Sequence, residues 1–392
     1  MNQSYAILGA AFLLTVGLLN HSAKAFSTPT KTMHYQDAIE SVWHPTSLVA
    51  CQDPEKISTP ESESESKMKL LKELVRYASL APSSHNTQCW KFEASEDGMS
   101  LTILPDLERR CPVVDPDDHH LYISLGCALE NLVIAAAAFG LESRVDSTDP
   151  ENEIHVHFLP ASSSTTETTA ALFEAIPKRQ VSRTEYNGEP LTDEELVVLR
   201  RAAMGDGVEA LFLVDHESQK VVEDHVTHAN SAQIRNTAFV RELLSWIRFG
   251  EQESVNSGDG LAGAAMGSPF IPRWIGQIFF MLMFRTTPEN DKIRRQIRSS
   301  AGTVVFASQK ENASQWIEVG RAYERFALQA TLLGVRNAML NQPAEEADER
   351  HKFAKAVGLE GKRPDLIVRF GKGGAELPHS LRRPVEDIFV LP

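Results

Sequence analysis

Between Ala81 and Trp90 the chain reads Ala-Pro-Ser-Ser-His-Asn-Thr-Gln-Cys-Trp, and Ser83 to Gln88 is an unbroken run of hydroxyl, imidazole and amide side chains. Each can donate and accept hydrogen bonds, so the loop suits the edge of a planar polar ligand. The same residues also suit a turn that caps its own backbone, and composition leaves both readings open. A second group, Pro177-Lys-Arg-Gln-Val-Ser-Arg-Thr-Glu-Tyr186, places three cations and a hydroxyl between Lys178 and Arg183, a patch of the size and sign a phosphate needs. Other chemistries find little support. Cys51, Cys89, Cys111 and Cys127 form no CxxC pair. His119 and His120 are adjacent, so they project in different directions and read as a solvated turn rather than metal ligands. No metal site and no catalytic Ser/His/Asp or carboxylate pair is expected.

The elements around these residues are ordinary. Leu70, Leu71, Leu74, Val75 and Ala78 recur at helical spacing, and Pro82 ends that helix because its ring excludes the αR region for Ala81. Trp90, Phe92, Leu101 and Ile103 read as strand. A helix from Leu121 to Gly140 carries no charge on any face between Leu132 and Phe139, so it should be buried all round. Ile154 to Phe158 alternates apolar residues with His and reads as a half-exposed strand. Further on, Thr192 and Glu195 form a capping box, and Ala210 to Val214 reads as strand. Residues 216 to 300 have no counterpart in the first half. They hold an amphipathic helix around Phe239 to Phe249, a glycine-rich loop from Gly258 to Gly267 and the apolar run Ile275 to Phe284. That run is too short to span a bilayer and is expected as a lid or buried helix over a pocket, with contact to a membrane surface as the alternative.

The chain has 392 residues, 42% of them hydrophobic and 23% charged, which suits two globular units and excludes wholesale disorder. A net charge of −14 argues against nucleic-acid partners. No charge occurs before Lys24, and Ala6 to Leu19 is almost wholly apolar, ending near the small-x-small pattern Ala23-Lys-Ala25. Residues 1–25 therefore read as a signal peptide or a membrane anchor, with residues 5–20 as the tether. This implies the cell envelope, either exported to the periplasm or membrane-anchored. Residues 26–66, ending in Glu61-Ser-Glu-Ser-Glu-Ser66, read as a flexible linker with one aromatic island, Tyr35 to Trp43, able to dock as a short helix.

An internal repeat organises the rest. Gly126-x-Ala128-x-Glu130, with Ala136 and Gly140, recurs as Gly320-x-Ala322-x-Glu324, with Ala330 and Gly334, at one constant offset. Both copies sit on a long helix followed by a strand. The expected division is residues 67–165 as one repeat and 166–392 as the second, the latter carrying the insert at about 216–300. The halves differ where chemistry is expected: the polar loop is replaced by Gly205-Asp-Gly207 in the second, and the cationic patch heads the second alone. One half-site in each repeat would make one complete site for an anionic ligand with a planar head.

At this point the chain resembles the nitroreductase superfamily, and within it the Acg-type proteins that carry two nitroreductase-like units. The resemblance covers roughly residues 67 to 392. It rests on Pro82-Ser-Ser-x-Asn86-x-Gln-x-Trp90 after a helix, the Gly-x-Ala-x-Glu helix, and Arg382-Arg-Pro-Val-Glu-Asp387. It implies an α+β fold, here a tandem-duplicated pseudo-dimer with a lid-like insert in the second repeat, working as a monomer or as a homodimer. FMN is the implied cofactor and NAD(P)H the implied electron donor. Carried over, Pro82, Ser83, Ser84 and Asn86 would contact the flavin ring. Arg179, Ser182 and Arg183, with Arg382 or Arg383, would bind its phosphate, and Asn341 and Gln342 would lie near its N5 edge. The chain departs from the family pattern at Cys89, where Pro usually follows Gln, at His119-His120, where Arg-Glu is common, and at Val181, often Ser.

The implied activity is an FMN-dependent oxidoreductase passing electrons from NAD(P)H through flavin to a small acceptor, a nitro compound or quinone. The flavin carries the chemistry, so no catalytic side chain is required. The alternative is a flavin-sequestering or redox-sensing protein in which the insert closes over the flavin and little turnover occurs.

Overall fold

A computed structural model describes residues 33–43, 60–146 and 153–391. The expected signal or anchor, and most of the expected linker, lie outside these residues. His34–Pro392 forms one unit, and the description concerns it alone.

The first half runs through α1 (Tyr35–Trp43), α2 (Pro60–Ser79), β1 (Trp90–Ala94), β2 (Ser100–Pro105), α3 (His119–Ala138), β3 (Leu141–Asp146) and β4 (Ile154–Pro160). The second continues with α4 (Glu167–Ala175), α5 (Asp193–Ala202) and β5 (Val208–Leu213). The insert then supplies α6 (His216–Arg235), α7 (Thr237–Trp246), β6 (Ile247–Arg248), α8 (Glu251–Ser257), β7 (Leu261–Ala262), α9 (Arg273–Met283) and α10 (Thr286–Arg298). After it come β8 (Gly302–Ser308), α11 (Ala313–Leu332), β9 (Arg336–Met339), α12 (Gln342–Glu345), α13 (Ala347–Ala356), β10 (Arg363–Gly371) and β11 (Phe389–Val390). The aromatic island is α1, with Tyr35, Ile39 and Trp43 buried. Helix α2 begins at Pro60, so Glu61 to Ser66 are helical and the linker ends earlier than its composition suggested.

The duplication is visible in the sheets. The first has the order β11-β1-β2-β4-β3 and the second β5-β8-β10-β9, so β1, β2, β4 and β3 correspond in turn to β5, β8, β10 and β9. Every neighbouring pair within those two sets is antiparallel. The exception is β11, which crosses from the C-terminus of the second half to lie parallel to β1 of the first. The insert leaves the chain between β5 and β8, where the first half has only the short β1–β2 turn. Its α6 and α10 bring Val222, Val226, Ile293 and Ile297 to Val305 and Ala307, covering the second sheet's outer face. Strands β8 and β10 are accordingly buried throughout, whereas β4 alternates, with Ile154, Val156 and Phe158 inward and His155 and His157 outward.

Helices α3 and α11 cross at the centre, and glycine makes the crossing. A Cβ on Gly126 would stand 2.0 Å from the Ile317 carbonyl oxygen, and a Cβ on Gly320 would stand 2.0 Å from that of Ile123. The two contacts are mates under the repeat offset, so a pseudo-twofold axis passes between the helices. Glu130 and Glu324 are likewise mates: Glu130 pairs with Arg321 and Arg325, each at 2.9 Å, and Glu324 with Arg179 at 3.1 Å. Any side chain at either glycine must part the helices, because the obstacle is backbone. Gly320→Leu should therefore lower the unfolding free energy by about 3 kcal/mol or more, measured by urea denaturation.

Candidate functional site

The polar loop both caps its own backbone and is clasped from the other half: Ser83 Oγ accepts the Gln88 N–H at 2.9 Å, and the Ser83 and Ser84 carbonyls accept the N–H groups of Asn86 and Thr87. Pro82 follows α2 directly, and His85, Asn86 and Gln88 adopt positive φ of 49°, 54° and 52°, a conformation that needs outside support. Asn86 supplies that support. Its Nδ2 donates to the carbonyls of Gly260 (3.1 Å) and Leu381 (3.2 Å), and its Oδ1 accepts from Arg382 Nη1 at 3.0 Å. Gln88 Nε2 donates to the Gly258 carbonyl at 2.9 Å, while its Oε1 accepts the Arg383 backbone N–H at 2.7 Å. The insert loop is fixed in turn through Asp259, which both Arg109 and Arg248 grip. Gly258 and Gly260 have φ of 61° and 72°, and a Cβ on either would meet a backbone oxygen, of Arg382 or Trp246 respectively. The sequence reading named the glycine-rich loop from Gly258 to Gly267 but gave these two glycines no role in the site; their Gly-Asp-Gly spacing was the available signal.

With Asn86 and Gln88 so engaged, Pro82, Ser83, Ser84 and His85 form one wall of a cavity of about 300 Å³. Cavities of this size fall at the lower end of the range for small organic ligands. Opposite stand Tyr323 of α11, Asn341 and Gln342 beyond β9, and Phe239, Leu243 and Phe284 of the insert. Gln342 Oε1 is buried without a hydrogen-bond partner. A smaller space of about 60 Å³ adjoins it, sharing Pro82, Ser83, Arg183 and Leu261 and adding Arg179, Gln180, Val181, Ser380 and Arg382. The sequence-derived residues are thus gathered in one place, one half-site from each repeat.

They do not all face the ligand. Ser182 is 2% exposed and turned away from both spaces: its N–H donates to the Asn337 carbonyl, and its hydroxyl meets Thr184 Oγ1 at 3.1 Å. Val181 faces the small space in its stead. Arg382 lines that space, yet its guanidinium donates to the carbonyls of Ser79, Leu80 and Ala81, closing the C-terminus of α2, and lies over the Trp43 ring. Burial, with Arg179 nearby, lowers its pKa to about 9. Arg383 binds the Gln88 and Asp387 carbonyls and lines neither space. Asn341 lines the cavity while its Oδ1 accepts the Ile367 N–H at 3.0 Å.

Two arginines retain free donors. Arg179, 2% exposed, pairs with Glu324 through Nε and donates from Nη2 to the Leu80 carbonyl, but Nη1 has no hydrogen-bond partner. Arg183 lies deep, with the cavity leaving its side chain accessible, and its guanidinium has no hydrogen-bond or ion-pair partner among the described residues. Burial lowers its pKa from the usual arginine value. Arg179, Arg183 and Arg382 against the single Glu324 leave the small space with a surplus of two positive charges when all four are ionised. That matches a phosphate dianion, and the unpartnered Nη1 and Arg183 are what such a group would bind. Burial holds Glu324 up to about 7, with Arg179 opposing.

His119 and His120 correct the expectation of a solvated turn. They begin α3 at 1% and 4% exposure. His119 Nε2 lies 2.8 Å from Asp365 Oδ1, and both Asp115 oxygens accept backbone N–H groups, of His120 and Leu121. Asp115, His119 and His120 stand close enough to share an ion, while His119 Nε2, His120 Nε2 and both Asp115 oxygens hold hydrogen bonds within the chain. The knot ties α3 to β10, and His120 also lines the cavity. The apolar run Ile275 to Phe284 also departs from its expected buried lid: α7 and α10 flank the cavity, and only Phe284 at the end of that run reaches it.

No family model matches the sequence. Across most of its length, however, the chain is similar to proteins of the nitroreductase superfamily. It is 24% identical over 323 residues to the Mycobacterium tuberculosis protein named "Putative NAD(P)H nitroreductase Rv3131", covering 80% of this chain and 88% of that one. With the M. tuberculosis protein "Putative NAD(P)H nitroreductase acg" it shares 22% identity over 328 residues, 82% of this chain and 95% of the relative. The resemblance to Acg-type proteins therefore extends well beyond the motifs that suggested it. Among solved structures, a nitroreductase with bound FMN from Bacteroides fragilis aligns with 54% of this chain and 94% of its own, at 12% identity and a TM-score of 0.35. A nitroreductase structure from Anabaena variabilis aligns with 81% and 90%, at 10% identity and a TM-score of 0.42. These structural likenesses are weak; the duplicated fold stands on this chain's own sheet orders and helix crossing.

Two outcomes follow from the side-chain roles. Arg382→Ala leaves buried carbonyls at the end of α2 without donors and should cost about 3–5 kcal/mol, read by chemical denaturation. Burial, then Arg183 and His120, lower the His85 pKa from 6.5 to about 4. A folded-state pKa below the unfolded one favours the neutral ring, so His85 costs stability as pH falls from about 6.5 to about 4. His85→Gln removes that cost, and urea unfolding at pH 7 and pH 4.5 should show the variant gaining on the wild type at the lower pH.

Proposed function

We propose that the chain is an FMN-dependent oxidoreductase of nitroreductase type, with NAD(P)H as electron donor and a small nitro compound or quinone as acceptor. The observation that carries this reading is the pair of free arginine donors, Arg179 Nη1 and Arg183, in a phosphate-sized space that shares Pro82 and Ser83 with a larger, mostly apolar one. The named relatives in M. tuberculosis, both NAD(P)H nitroreductases by name, support the activity. FMN, when bound, would supply the hydride and electron chemistry.

The chain's own residues then divide the remaining work. Arg179 and Arg183 would hold the phosphate, and Pro82, Ser83 and Ser84 would meet the ring, with Gln342 Oε1 as a free acceptor on the opposite wall. Asn86, Gln88, Arg382 and Arg383 position the loop, and Asn86 and Arg382 also border the phosphate-sized space. Phe239, Leu243 and Phe284 exclude water from the insert side. Glu345 lines the same cavity; burial raises its pKa, with His120 and Gln233 opposing, and Gln233 Nε2 donates to Oε2 at 2.6 Å.

The insert on the cavity wall favours one second reading, a flavin-sequestering or redox-sensing protein with little turnover. Two measurements separate and test these readings. Arg183→Ala should weaken FMN retention about 10- to 100-fold, the effect of losing a charge-assisted contact, and unchanged retention would refute the phosphate assignment. Steady-state NAD(P)H oxidation by the FMN-loaded wild type supports the enzyme, whereas bound flavin that NAD(P)H fails to reduce supports the store.

A further inference from the structure

Helix α9 breaks the rule that an apolar helix is a buried one. Its sequence, Arg-Trp-Ile-Gly-Gln-Ile-Phe-Phe-Met-Leu-Met, holds no acidic residue, and Gly276 is its only buried position. That glycine lets it rest on Phe249, whose ring would lie 2.2 Å from an added Cβ. The opposite side projects into solvent: Trp274 is 66% exposed, Phe279 57%, Met281 65% and Leu282 56%. Isolated exposed hydrophobes need no explanation, but a continuous helical face of them marks an interaction surface.

The chemistry around this face indicates what covers it. Arg273 and Arg285 bracket the helix; Arg273 pairs with Glu253, while Arg285 is exposed and has no side-chain partner among the described residues. From Arg273 to Arg298 there are six Lys or Arg residues and two acidic ones, in a chain whose net charge is −14. An apolar face with Trp at one end and cations at both suits the boundary between headgroups and acyl chains, where the aromatic ring sits at headgroup level and arginines meet anionic lipid. Eleven residues rise about 16 Å, half a hydrocarbon core, so such a helix lies in the interface and does not cross it.

The same chain carries the apolar run Ala6 to Leu19, which by sequence reads as a signal peptide or a membrane anchor. We propose that α9 is a membrane-seating helix, which inserts its Trp274, Phe279, Met281 and Leu282 face into an anionic lipid surface. This inference does not depend on flavin or on turnover. It does place Phe284, the cavity residue that closes the run Ile275 to Phe284, immediately beside the membrane-seated helix.

The test uses the full chain with vesicles of phosphatidylcholine and phosphatidylglycerol, with and without brominated acyl chains. The emission of Trp274 is taken as the difference between wild type and Trp274→Phe. Brominated lipid should quench this component at least twofold, and the double variant Phe279→Glu, Leu282→Glu should abolish the quenching with unchanged circular dichroism. Because the wild type alone reports quenching, a double variant that fails to fold leaves the proposal testable. Two results would overturn it. One is an unquenched Trp274 on a chain that floats with the vesicles, which leaves the N-terminal run as the sole contact. The other is a lipid-free dimer that the double variant makes monomeric, which assigns the face to a second copy of the chain.

Discussion

Everything in the folded unit depends on the backbone contact between α3 and α11. Gly126 and Gly320 admit the facing carbonyls of Ile317 and Ile123 so closely that no side chain fits at either point. Close packing follows from that approach: Ala128, Leu129, Ala322, Tyr323 and Phe326 are all fully buried around it. Because the contact is symmetric under the repeat, it also fixes how the two sheets face each other. The polar loop that follows α2 and the cationic segment that precedes α5 then meet at one side of the crossing.

Symmetry at the centre is broken at the periphery, and the site arises there. In the first half, α2 ends in an irregular polar loop; in the second, α5 ends in the tight Gly205 to Gly207 turn. The insert enters between β5 and β8 and presents Gly258 to Gly260 to the loop, while the C-terminal chain passes over as Leu381 to Arg383 and ends as β11 beside β1. A loop with three positive φ angles outside glycine is costly, roughly 1–3 kcal/mol for each such residue. It persists because both of its amide side chains are clasped from the other repeat. The strain and the clasp belong together, since a relaxed turn would turn the Ser83–Ser84 segment away from the cavity.

The sequence made much of this legible because it recorded repetition. Five matched positions on two helices placed Gly126 and Gly320 as mates, and the structure gives that pairing its physical meaning. Pro82, Ser83 and Ser84 were legible as either a ligand edge or a self-capping turn, and Arg183 as part of a cationic patch; the fold shows the loop doing both, with all four residues on the cavity wall. What stayed hidden depends on partners distant in sequence. Arg382 and Asn86 are as suited to a ligand as to a carbonyl, and only the fold shows that the end of α2 and the Gly258–Gly260 loop claim them. His119 and His120 looked solvated because adjacent side chains project in different directions; their burial comes with Asp365, some 245 residues away, as a partner. The run Ile275 to Phe284 read as a lid or buried helix, with a membrane surface as the alternative, and its exposed face could be seen only once the helix had neighbours.

The central claim is that duplication with divergence has left one complete flavin site per chain where two identical halves would make two. Its most direct test is the ratio of released FMN to folded protein after saturation and removal of excess flavin, with absorbance of the free flavin set against amino-acid analysis. The account predicts a ratio near one. A ratio near two would mean that the Gly205 to Gly207 side also binds, contradicting the division of the site between the polar loop of one repeat and the arginines of the other.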